Sequence, residues 1–254
     1  MSLSESVARA SRLAREVEHH RSLAPDAETI WNWNSPSGRY RAARRVRLFV
    51  ERGQLGEGRS ALELGCGTGV FLEPVSRCGA RLTAIDLSRD LLERAAARVR
   101  DRPNVKLTCG NAEDMPYPGC SFETVYGSSV LHHLHLDDAL KEVHRVLRPG
   151  GRIVFAEPNM LNPQVAFMFQ VGWTKSYFGV SPDERAFTRF RARRALRDAG
   201  FVDLRVEPFD FVHPALGARL VPRAAAIGRW LEMLPLISEI GGSLLIEARR
   251  ADSP

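Results

Sequence analysis

From Ser60 onward, short apolar runs alternate with helical segments, a pattern that calls for crossover connections and a mainly parallel sheet. Ala61–Leu64, Arg81–Ile85, Val105–Thr108, Phe122–Tyr126 and Arg152–Ala156 read as strands. Between them the spacing predicts helices over Leu87–Val99 and Leu136–Leu147, the second stopped by Pro149-Gly150-Gly151. Two more strands are predicted at Asp203–Phe209 and Ser243–Ala248, after a helix at Ala192–Ala199. An α/β domain with a mainly parallel sheet and helices on both faces is the expected fold class.

The rest of the chain departs from this alternation. Leu3, Val7, Ala10, Leu13 and Val17 recur at helical spacing, and Arg39–Glu51 again looks helical after a turn-rich stretch, Ser35-Pro36-Ser37-Gly38. Residues 1–58 are therefore expected as an N-terminal helical lid, and 59–254 as the main domain. Within the latter, 158–187 (rich in Phe, Met, Trp and Tyr) and 212–242 (Leu216, Leu220, Ile227, Leu231 and Leu234) are expected as helical cap insertions.

Composition narrows the setting. The chain has 254 residues and a formal charge of +6, carried almost wholly by arginine, since Lys106, Lys141 and Lys175 are the only lysines. The arginines are spread along the chain without an aromatic platform, which reads as solvated faces rather than a nucleic-acid surface. No apolar block resembles a signal peptide or a membrane span, so a cytoplasmic protein is expected. Cys66, Cys78, Cys109 and Cys120 form no C-x-x-C pair and read as small buried residues in a reducing compartment.

The central motif is Glu63-Leu64-Gly65-Cys66-Gly67-Thr68-Gly69, placed between a strand and a helix-like run. Glycines there let the backbone turn sharply and approach a ligand closely. The spacing is G-x-G-x-G, with Val70 where a dinucleotide fingerprint wants its last small residue. Glu63 would repel a pyrophosphate and favour a cationic ligand. Asp86 ends the second strand, where an acid can accept both hydroxyls of a ribose or, alternatively, cap the next helix. Gly110-Asn111-Ala112-Glu113-Asp114 after the third strand suits the edge of an adenine, or is simply a polar turn.

Taken together, Ala61–Gly69, Asp86, Asn111–Tyr117, Ser121–Leu134 and Leu147–Glu157 resemble the class I S-adenosylmethionine-dependent methyltransferases, in particular the group acting on small molecules, sugars, quinones and lipids. The resemblance is close over Ser60 to Glu157. It implies a Rossmann-like, seven-stranded, mainly parallel sheet with the last strand antiparallel and S-adenosylmethionine as cofactor. It places Gly65, Cys66, Gly67 and Gly69 by the methionine part, Asp86 at the ribose, and Asn111 and Ala112 by the adenine, with Glu63, Leu87, Glu113 and Ser128 as further cofactor-binding residues. It also implies that Arg39 or Tyr40, in the segment before the first strand, touches the cofactor's carboxylate.

Methyl transfer is an in-line displacement that relies on positioning, with a base needed only when the acceptor must lose a proton. His132 and His133, just beyond the fourth strand, are the candidate bases, with Glu157 to orient one of them or hold the acceptor. The bland alternative is that one histidine packs and caps the next helix. No carboxylate or cysteine set beside His132, His133 and His135 is visible in the sequence, so no metal is expected. Gly127-Ser128-Ser129-Val130 replaces the Pro-Pro-aromatic element of enzymes that methylate exocyclic amines of nucleobases, and no Pro-Cys nucleophile is present. The expected acceptor is a small molecule methylated at oxygen or nitrogen, with Phe167, Phe169, Trp173, Tyr177 and Phe178 suiting an apolar or ring-bearing one. Two alternatives stay open: a lipid or prenylated acceptor met at a membrane surface through Leu216–Leu234, with Arg219, Arg223 and Arg229, and a non-catalytic cofactor-binding regulator.

Overall fold

The computed structural model describes residues 3–171, 175, 181 and 184–252. Among these, seven strands form one sheet: β1 (Ser60–Leu64), β2 (Arg81–Asp86), β3 (Val105–Cys109), β4 (Phe122–Ser128), β5 (Leu147–Pro158), β6 (Phe201–Phe209) and β7 (Ser243–Arg250). Their order is β3-β2-β1-β4-β5-β7-β6. β1 to β5 pair in parallel, and β7 runs antiparallel to both β5 and β6. This is the Rossmann-like arrangement expected from the sequence. The strand order reverses between β1 and β4, and the crevice beyond their carboxyl ends is where open α/β sheets bind ligands.

Both faces are covered, so β1, β4 and β5 are apolar on both sides. Leu62 and Leu64 of β1, with Ile153 and Phe155 of β5, pack on one face against α6 (Leu136–Val146) and α8 (Arg189–Asp198). Ala61, Tyr126, Val154 and Ala156 point the other way, toward Phe49 of α3 (Pro36–Arg52), Leu72 of α4 (Leu72–Ser76) and Leu92 of α5 (Arg89–Val99). Side chains alternate along a strand with period two, which sends successive residues of β5 into different cores.

Several local expectations are revised. Pro149-Gly150-Gly151 does not stop a helix. The chain passes from α6 into β5 at Leu147, and these residues lie in β5 where its register with β4 shifts. Ser35-Pro36 begins α3 instead of forming a separate loop: the Ser35 hydroxyl accepts from the Gly38 amide at 2.9 Å, and Pro36, lacking an amide hydrogen, suits the first helical position. Of the cysteines only Cys66 is buried, while Cys109 and Cys120 are exposed.

Before β1 the chain forms α1 (Leu3–Leu23) and the one-turn α2 (Ala27–Ile30). The 158–187 region contains α7 (Pro163–Gln170), and 212–242 contains α9 (Val221–Leu231) and α10 (Pro235–Ser238). Trp173, Tyr177 and Phe178 lie outside the described residues.

Candidate active site

A cavity of about 630 Å³ opens at the carboxyl ends of β1 and β4, within the range of small-molecule sites. Its floor is the turn after β1. Gly65 has φ +63°, and a Cβ there would sit 2.4 Å from the Val130 Cγ2, so both the conformation and the close approach demand glycine. Gly69 does not line the cavity. Its φ is +79°, and a Cβ would lie 3.3 Å from Ala95 of α5, so it serves helix packing.

Gly65, Cys66, Gly67, Asp86, Leu87, Asn111, Ala112, Ser128, His132 and His133 all line this one cavity. Asp86 does not cap α5; Ser88 does, accepting from the Leu91 amide. The Asp86 carboxylate instead accepts from the Gly67 amide at 2.7 Å and the Ser88 amide at 2.9 Å, and each oxygen keeps a lone pair for a ligand. Burial raises its pKa, against the pull of those amides.

Besides Gly69, four expected cofactor residues lie elsewhere. Glu63 is buried against the second core, where its Oε2 accepts from the Tyr126 hydroxyl at 2.7 Å. Burial pushes its pKa up to about 8, so it presents little negative charge at neutral pH. The side chain before the loop therefore does not set the site's charge. Glu113 is also buried, spent on fastening α1: Arg12 Nη2 donates to it at 2.5 Å and the His135 amide at 2.7 Å. Arg39 is exposed, and Tyr40 meets Arg229 instead of the cavity.

Arg41 and Arg45 stand where Arg39 or Tyr40 was expected. Arg41 pairs with Asp210 at 2.8 Å. Arg45 is only 2% exposed, and its guanidinium donates to the hydroxyls of Ser128 (2.7 Å), Ser129 (3.2 Å) and Ser243 (2.8 Å). Its Nε is buried without a partner. Burial, and then Arg41, lower its pKa to about 10, which still leaves it charged at neutral pH. The guanidinium also lies over the Trp33 ring, and its hydrogen-bond partners among the described residues are hydroxyls rather than carboxylates. One helical turn separates Arg41 from Arg45, but an Arg-rich amphipathic helix hides which arginine turns inward. The cavity mouth also joins distant segments, since Asn32 Nδ2 and Ser37 Oγ both donate to the Pro214 carbonyl.

His132 and Glu157 form a buried polar pair at the cavity. Glu157 lies behind the cavity wall, fully buried, with Oε1 accepting from the Val130 (2.9 Å) and Leu131 (3.0 Å) amides. Its Oε2 faces His132 Nδ1 at 2.8 Å, which sets the tautomer and leaves Nε2 toward Glu184 Oε2, 3.6 Å away. His133 Nδ1 lies 3.3 Å from Glu16 of α1 and 3.5 Å from Glu184. Although burial opposes it, these carboxylates raise the pKa of His133. Burial lowers that of His20. Glu16, His20 and Glu184 have no sequence signature, being polar residues on segments far from the motif.

Residues 62–155 match the family model described as a methyltransferase domain. Over 185 residues the chain is 30% identical to a demethylmenaquinone methyltransferase of Geobacillus kaustophilus, covering 64% of this chain and 79% of that protein. An S-adenosylmethionine-dependent methyltransferase of Thermotoga maritima superimposes with a TM-score of 0.66 at 19% identity, over 91% of this chain and 99% of that one. The geranyl diphosphate C-methyltransferase of Streptomyces coelicolor superimposes with a TM-score of 0.61 at 21% identity, over 84% and 80% of the two chains. With the sheet order and the glycine turn of its cavity, the chain belongs to the class I S-adenosylmethionine-dependent methyltransferases, as an enzyme whose methyl donor is S-adenosylmethionine.

Proposed function

We propose that this enzyme transfers the methyl group to an oxygen or nitrogen of a small, largely apolar acceptor, with His132 as proton acceptor and Glu157 as its positioning residue. The observation that carries this reading is the Glu157–His132 pair at 2.8 Å, with His132 lining the same cavity as the glycine turn and its Nε2 3.6 Å from Glu184. A base must lie within hydrogen-bond reach of the acceptor's proton, and a fixed tautomer keeps its accepting nitrogen ready. Glu157 and Glu184 would then hold the imidazolium that forms.

The residues present fit the cofactor. The Gly65 and Gly67 backbone lines the cavity without a side chain in the way, and Arg45 offers an unpartnered buried nitrogen to a carboxylate. When bound, S-adenosylmethionine supplies an electrophilic methyl on a sulfonium. In this reading Gly65, Cys66, Gly67 and Ser128 lie beside the methionine part, and Arg45 replaces Arg39 and Tyr40 at its carboxylate. Asp86 and Leu87 take the ribose, with Asn111 and Ala112 at the adenine. Residues 1–58 act as a lid on the 59–254 domain, which is supported by Trp31, Trp33 and Arg45 lining the cavity.

Titration calorimetry of S-adenosylmethionine with wild type and Asp86→Ala tests the cofactor assignment, and an acceptor screen over phenols, sugars, quinols and amines tests the chemistry. Methylation confined to carbon acceptors would overturn the oxygen-or-nitrogen reading. Turnover unchanged in His132→Ala would remove the base.

One observation favours a second reading, an acceptor drawn from a membrane surface. α9, α10 and their junctions expose Ile227, Trp230, Met233, Leu236 and Ile240, with Trp230 at 56% and Leu236 at 87%. An apolar face with a tryptophan and nearby arginines suits a lipid interface. Among the described residues no helix is long and apolar enough to cross a membrane. Flotation with anionic vesicles at low salt decides it: failure to float excludes this reading.

A further inference from the structure

The sequence gives no reason to expect a metal beside His133, because the nearest acids in the chain belong to other elements. The fold removes that objection. Glu16 and His20 lie four residues apart on α1, hence on one helix face. His133 comes from the single 3-10 turn after β4. One ring nitrogen from each histidine and one Glu16 oxygen lie within 4.8 Å of one another. His133 Nδ1 and Glu16 Oε2 are already 3.3 Å apart. A tetrahedral ion with metal–ligand bonds of about 2.0–2.1 Å has ligand–ligand edges of roughly 3.3–3.4 Å.

Two further observations point to an ion rather than to hydrogen bonding alone. The His20 Nδ1 is buried with no partner, a lone pair or proton that nothing in the protein satisfies. The Glu16 carboxylate is also held from outside the trio, since its Oε1 accepts from the Ser181 hydroxyl. Supporting bonds of this kind orient ligands in built metal sites.

We propose that Glu16, His20 and His133 form a site for a divalent first-row transition ion, with zinc the best match to the mixed nitrogen and oxygen donors. The ion would bridge α1 to the turn after β4, adding to the Arg12–Glu113 pair one helical turn away on the same face in fastening the N-terminal helix over the cavity. The claim goes beyond the methyl-transfer reading and leaves His132 and Glu157 as its proton-handling pair. A neighbouring trio of His132, His133 and Glu184 could also gather an ion, and the variants below separate the two.

The test is titration of Co²⁺ into the full-length, chelator-treated protein, followed by its visible absorption, with Zn²⁺ displacing it in competition. Expected is one equivalent with a tetrahedral spectrum, weakened at least about 100-fold in Glu16→Gln and in His20→Ala. His132→Ala and the remote His144→Ala should retain it. Bound Zn²⁺ should also slow tryptic cleavage at the exposed Arg21 of α1 in wild type, but not in His20→Ala. No binding to wild type, unchanged affinity in both α1 variants, or loss only in His132→Ala would each overturn the proposal. Cofactor titration of the same metal-free protein reports separately on the methyltransferase site, so the two readings fail independently.

Discussion

Glu63→Gln should make the protein more stable, and increasingly so as pH rises. Glu63 is fully enclosed beside Tyr126, and burial lifts its pKa from 4.5 to about 8 in the folded state. A folded pKa above the unfolded one means that the unfolded chain releases this proton first. Folding stability is therefore intact below about pH 4.5 and is withdrawn as pH climbs toward and through about 8. With these two values, linkage gives a loss of about 2 kcal/mol by pH 6, about 3 by pH 7 and between about 4 and 5 by pH 9. Glutamine keeps the shape, and its carbonyl still accepts from the Tyr126 hydroxyl, but it carries no charge to desolvate. Burial raises the Tyr126 pKa well above 10, so the phenol stays a donor across the range. Urea unfolding of both proteins at pH 6, 7, 8 and 9 makes the comparison, since other titrating groups largely cancel in the difference. The stability gap should widen by roughly 2–3 kcal/mol between pH 6 and 9. A gap constant to within about 0.5 kcal/mol, smaller than any linkage this shift allows, would mean that Glu63 ionises like an exposed carboxylate.

Other expectations concern the cavity. Gly65→Ala combines left-handed strain with a clash against Val130 and should cost about 2–4 kcal/mol in urea unfolding, together with cofactor affinity. Arg45→Met should weaken S-adenosylmethionine binding roughly 10- to 100-fold by calorimetry, the worth of a charge-assisted bond, while Arg39→Met changes it little. Glu157→Gln presents an amide donor to His132 Nδ1, which reverses the tautomer and places the proton on Nε2. kcat should fall at least about 100-fold with cofactor affinity unchanged; a loss confined to KM would refute a proton-handling role.

Much of the architecture follows from local pattern alone. The strands of residues 60–158 and the glycine turn are legible because short apolar runs between helical segments and glycine spacing are properties of neighbours in the chain. The same holds for Asp86 and for the pairing of Glu157 with the histidines, since successive parallel strands bring their carboxyl ends to one edge of the sheet. What local pattern could not decide is direction. Glu63 looks like a ligand-facing acid, yet strand alternation turns it into the core beside Tyr126. Arg39, Tyr40, Arg41 and Arg45 are alike as helix residues, and only packing on Trp33 and the three serines selects Arg45 as the inward cation. Glu113 seemed part of a binding loop until α1 brought Arg9 and Arg12 to it. Glu16, His20 and Glu184 reach His133 across more than fifty residues of chain, through helix and loop placements that no short spacing records. Burial and partner choice are sums over segments distant in sequence, so the charge and chemistry of this site were decided by the tertiary structure.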